Sequence, residues 1–94
     1  MISMEVRNMN KQHIMNVVKR YIHSLAEMMQ EDIAQARQEW TEAGCPSDNQ
    51  WSIDLTIDSI VADYRRDMYG YINRVVEAYD LTEAQAAELE KEVA

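Results

Sequence analysis

Trp51-Ser52-Ile53-Asp54-Leu55-Thr56-Ile57-Asp58 alternates apolar and polar residues as a strand does, and its reading decides the fold class of the whole chain. Followed downstream, the alternation gives way to a longer series. Ile53, Ile57, Ile60, Val61, Tyr64, Met68, Ile72, Val75 and Tyr79 step mostly by three or four, the period of one buried helical face. A pattern kept over some 27 residues outweighs one kept over eight. It predicts a helix over 48–79, with Gly70 as a kink or break inside it.

Working outward, Gly44-Cys45-Pro46 is the clearest boundary in the chain, because a glycine just past a helix and a proline soon after are stop signals. Ser47 with Gln50 three residues on has the spacing of a capping box that would open the second helix. Upstream, nothing between Asn10 and Ala43 breaks a helix, and Ile14, Val18, Tyr21, Leu25, Met28, Ile33, Ala36 and Trp40 form its apolar stripe. At ~1.5 Å per residue this helix over 10–43 is about 50 Å long. A compact chain of this length has a radius of gyration of about 12 Å. The helix therefore bends or breaks near Gln30–Asp32, or the fold is elongated and dimeric.

Beyond Tyr79, Asp80-Leu81-Thr82 closes the second helix, and Thr82 with Gln85 repeats the capping-box spacing at the head of a third, over 83–93. Leu81, Leu89 and Val93 would dock it. Residues 1–9, with Met1, Met4 and Met9, read as a flexible lead. The expected architecture is one all-α domain over 1–94, with three main helices and a long first one.

Composition limits the function classes. Seventeen acidic residues against nine basic give a net charge of −8. Binding nucleic acid or anionic membrane requires neutralising phosphates with Lys or Arg, so neither is expected as a direct partner. A protein with a basic surface is. The single cysteine, Cys45, allows no intrachain disulfide and suits a reducing, cytoplasmic compartment. No apolar run reaches the ~20 residues of a membrane span, and no signal peptide is legible.

Chemistry-bearing motifs are scarce. His13 and His23, ten residues apart on one helix, point in different directions and cannot share a metal. No Cys-x-x-Cys, His-Glu-x-x-His or glycine-rich phosphate loop occurs. Glu39-x-x-Glu42 and Glu77-x-x-Asp80 carry the letters of the magnesium motif in all-helical MazG-type pyrophosphatases, but both pairs fall at helix ends. The expectation is a protein without enzymatic activity, cofactor or metal.

The carboxylates are patterned. Glu27 and Glu31, Asp54 and Asp58, and Asp63 and Asp67 are each spaced i, i+4, which sets paired carboxylates about 6 Å apart on one helical face. That is close to the phosphate spacing along a nucleic-acid strand. These six are the candidate contact residues for a basic groove. Tyr69 and Tyr71 join them, since tyrosine is enriched at interface hot spots and the two cannot both point inward across Gly70.

Within this region Asp58-x-x-Val61-x-x-Tyr64-x-x-Asp67-Met68, with Ile53 five residues upstream, resembles a segment of the small acidic phage anti-restriction proteins of the Ocr type. The match spans Ile53 to Met68, and Ala62 stands where that family usually has proline. The resemblance implies a helical, often dimeric, acidic decoy that blocks a host nucleic-acid enzyme as a DNA mimic. The resulting expectation is a phage- or mobile-element-type inhibitor of a host defence complex, of restriction or CRISPR (anti-CRISPR) kind. The alternative is a self-associating helical scaffold or regulatory subunit with no nucleic-acid-related target.

Overall fold

The computed structural model describes residues 4–46 and 52–93, and these form three helices, α1 (Met4–Glu42), α2 (Ile53–Tyr79) and α3 (Glu83–Lys91). No strand occurs among the described residues, so the stripe prevails over the alternation at Ile53–Asp58. The first helix is unbroken through Gln30–Asp32 and starts at Met4, so Asn10 lies inside it rather than capping it. The second is unbroken through Gly70. Gly70 costs this helix about 1 kcal/mol relative to alanine, which the flanking buried Met68 and Ile72 more than offset.

The helix ends are satisfied locally. Gly44, at φ +90°, turns the chain out of α1 while its N–H and that of Cys45 bond to the carbonyls of Thr41 and Trp40, each at 3.0 Å. This is the paired-bond glycine stop expected at that position. The Trp40 indole N–H donates to the Pro46 carbonyl at 2.7 Å and folds the turn back on the helix. The expected capping box at Ser47–Gln50 and a partnership of Trp40 with Trp51 lie outside the described residues. Helix α2 begins at Ile53 rather than at 48, and Ser52 is its cap, its hydroxyl accepting the Leu55 N–H at 3.3 Å. At α3 the reciprocal bonds between Thr82 and Gln85 form as the spacing predicts, at 2.9 and 3.1 Å.

α1 and α2 make an antiparallel hairpin, and α3 runs parallel to α1 along one end of it. Its register is fixed by three contacts of equal sequence separation. Lys11 donates to the Asp80 carbonyl at 3.1 Å, Lys19 pairs with Glu88 at 2.7 Å, and His23 meets Glu92 at 2.6 Å. Leu81 and Leu89 are buried, as their spacing predicts, and Val93 packs against the same cluster.

The molecule is a rod of 65 × 18 × 16 Å with a radius of gyration of 18.2 Å, against about 12 Å for a compact chain of this length. Its core is confined to the end that α3 covers. Met15, Val18 and Ile22 of α1 meet Met68, Ile72 and Val75 of α2 under Leu81 and Leu89. Beyond that end Ile33, Ala36, Trp40, Ile53, Ile57 and Ile60 face inward yet stay half-buried. No third helix caps them.

Stability should follow this division. Truncating Ile72, fully buried, to alanine is expected to cost about 2–5 kcal/mol. Ile57→Ala should cost less than half as much, since its site is already partly hydrated. Urea unfolding of both variants, monitored by circular dichroism, measures the difference. Equal losses would mean that the two ends are packed alike.

Candidate functional site: an acidic two-helix arm

The end of α3 divides the molecule. Residues 24–67, the part of the hairpin beyond α3, hold ten acidic side chains against only Arg37, Arg65 and Arg66. That arm carries −7 of the chain's net −8, and the three-helix end carries −1. The asymmetry becomes visible only when the resting place of α3 is known. The arm also retains apolar surface, with Met28 at 51% exposure and Leu55 at 67%.

The six predicted carboxylates all lie on this arm and are all exposed, but they do not form one track. Because α2 is continuous, Asp63 lies nine residues from Asp54, and Asp67 nine from Asp58. Nine residues are about two and a half helical turns, which puts the two pairs on opposite sides of the helix. Glu27 and Glu31 lie about 140° and 180° around α1 from buried Ile22, and so face outward on a third side. The spacing within each pair holds. The continuity between pairs does not.

Helix α2 thus presents two patches. On one side Asp63 and Asp67 share the guanidinium of Arg66, at 3.4 and 3.8 Å. Asp67 also lines a groove on the hairpin seam with Tyr21, Leu25, Gly70, Tyr71 and Arg74. There Tyr71 is half-buried, its ring centroid 4.4 Å from that of Tyr21 at 44°, with the Arg74 guanidinium 6.0 Å away over its face. On the other side stand Asp54, Asp58 and Tyr69, the last 41% exposed, because Tyr69 falls about 20° from Asp58 around the helix. Among the described residues neither Asp54 nor Asp58 has a cationic partner. Exposed Leu55 sits beside them. Sequence reasoning passed over Leu55 because it falls off the apolar stripe, which is itself the signal that it faces solvent.

The arm is held together across its seam by Tyr64, whose hydroxyl donates to the Asp32 carboxylate at 2.5 Å. That bond, reinforced by desolvation of the ring and by the negative charges of Asp32, Glu31 and Asp67, raises the Tyr64 pKa. Where α1 meets α3, the Lys19 pKa is likewise raised, first by its hydrogen bond to Glu88 and then by the Glu88 and Glu92 charges, with desolvation opposing.

Among the described residues no three His, Cys, Asp or Glu side chains converge to hold a metal ion. Cys45 is exposed in the turn at the arm's tip. No helix among the described residues is long and apolar enough to cross a membrane. Comparison of the chain with protein-family models, curated proteins and solved structures finds no match.

A raised folded-state pKa means that Tyr64 and Lys19 contribute stability below their unfolded values, ~10 and ~10.4. That contribution is lost as pH climbs through the folded values. Ultraviolet titration of the phenols should show a component displaced to high pH that Tyr64→Phe removes. If the variant titrates like the parent, the bond to Asp32 is not formed in solution.

Proposed function

We propose that this protein is an acidic, protein-binding inhibitor, of the kind carried by phages and mobile elements, that occupies the basic surface of a host nucleic-acid-targeting defence complex. The supporting observation is the confinement of −7 of the net charge to a slender two-helix arm whose apolar surface is incompletely covered. A groove built for a nucleic-acid backbone is lined with Lys and Arg and attracts such an arm over distances of about a Debye length, ~8–10 Å.

Charge density decides how far the likeness to DNA goes. Residues Ser24 to Glu42 span about 28 Å, so the arm carries roughly one net charge per 4 Å, against one per ~1.7 Å in duplex DNA. Less than half the density leaves room for apolar anchoring, and Leu55 between Asp54 and Asp58 supplies it. Charge steers the encounter and sets its salt dependence, while the apolar contact holds the complex. The patch of Asp54, Leu55 and Asp58 carries the contact, with Tyr69 on the same side about 16 Å further along α2, because its carboxylates have no cationic partner among the described residues. The opposite pair is partly spent on Arg66.

Affinity capture from bacterial lysate at low and at high salt tests the reading. The expected result is a nucleic-acid-processing complex recovered at low salt and lost at high salt. The paired change Asp54→Lys and Asp58→Lys should reduce recovery at least tenfold, and Asp63→Lys with Asp67→Lys should reduce it less. Capture that is indifferent to salt and to all four changes would remove the acidic arm from the function.

A further inference from the structure

Opposite α3, the three-helix end carries an exposed apolar strip. Lys19 and His23 point at α3 through Glu88 and Glu92. Val17 and Tyr21, each two residues back, are turned about 200° from them and face away. Val17, 41% exposed, and Tyr79, 52% exposed, border with His13 and Tyr71 a shallow trough between α1 and α2 floored by Val18 and Val75, and Tyr21, 45% exposed, extends the strip by its contact with Tyr71. The fold leaves this surface bare along the one region where its own core is best packed.

We infer that a second copy of this chain covers the strip, giving an antiparallel dimer through the three-helix ends with the two acidic arms projecting in opposite directions. Area is the first argument. The chain exposes 7049 Å², whereas a compact protein of 11.0 kDa exposes about 5,600 Å². The excess, about 1,400 Å², belongs to the rod as a whole, and a standard interface of ~800 Å² per partner would remove about half of it.

Charge is the second argument, and it selects both the place and the direction. Two identical chains approach most easily where each is nearly neutral, and that is the end with net −1 rather than the arm with −7. A parallel pairing would lay one arm against the other and set −7 beside −7. The antiparallel pairing, an ordinary two-fold arrangement, keeps them apart. A partner chosen for its basic charge has no reason to seat at this end, where the flanking charges balance. A rod with eight buried apolar side chains among its described residues gains from an apolar partner that is always present in equal amount. This inference stands whether or not the arm's target is a defence complex.

Sedimentation equilibrium on the full chain, from low to high micromolar, is the test. The expected result is a species of twice the 11.0 kDa protomer mass that persists at high salt. Val17→Glu with Tyr21→Glu should weaken self-association at least tenfold. Helicity by circular dichroism should be kept, because both side chains are exposed in the single chain. Reversal of Asp54 and Asp58 should leave the dimer intact. Energy transfer between donor-labelled and acceptor-labelled chains, each carrying its dye on Cys45 at the arm tip, reads the direction and should be absent in the dimer. A wild-type chain that sediments as a monomer at every concentration, a dimer indifferent to the two glutamates, or efficient transfer between the tips would each overturn the proposal.

Discussion

Leu89 is fully buried, and the Lys19–Glu88 and His23–Glu92 contacts hold its nine-residue helix along one end of a hairpin whose first helix has 39 residues. Nine residues rise only about 13 Å. A third helix of that length can complete a core over one stretch of the hairpin and no further. The rest of the molecule follows from this mismatch. Where α3 lies, Met15, Val18, Ile22, Met68, Ile72 and Val75 lose their water. Where it stops, Ile33, Trp40, Ile53 and Ile57 remain half-covered, and the hairpin continues as an arm of two helices. A longer α3 would have given an ordinary three-helix bundle.

The arm gathers charge without arranging it in a line. Each i, i+4 pair of carboxylates is repelled only by tenths of a kcal/mol, so such pairs are tolerated on all sides of an exposed helix. Placing them on several sides gives a sleeve of negative potential around a thin rod instead of a single stripe. Steering by such a sleeve does not require a fixed orientation, which suits a first encounter with a basic groove. The apolar side chains of the arm are few and asymmetrically placed, and Leu55 is the most exposed of them. In the proposed contact, charge and apolar surface take separate parts.

Much of the fold was legible in the chain because its signals are local. Thr82 and Gln85 bond as their spacing requires, and Gly44 stops α1 with the backbone geometry that glycine allows. Leu81 and Leu89 were readable as docking residues from their places beside and within a short helix. Helix starts were read less well. α1 begins six residues before Asn10, and α2 starts behind Ser52 instead of at 48, because several polar residues near each start are equally able to cap and only the surrounding chain selects one. The acidic track failed for a different reason. Pair spacing is set within one turn, but the five-residue step from Asp58 to Asp63 swings the helix by about 140°, and that matters once α2 is known to run through without a break.

The sequence by itself determined that the protein is all-α, where its helices stop, which of their faces are apolar, and that the chain is strongly acidic. These properties depend on side chains a few residues apart, and such interactions survive in any arrangement of the helices. Only the tertiary structure decided which end of the hairpin becomes the core and which becomes the charged arm. That choice rests on contacts between residues 69 positions apart in the chain, Lys19 with Glu88 and His23 with Glu92, and on the burial of Leu89. No local pattern encodes the address at which a short helix docks on a long one. It is set by how side chains from three helices fill a common space.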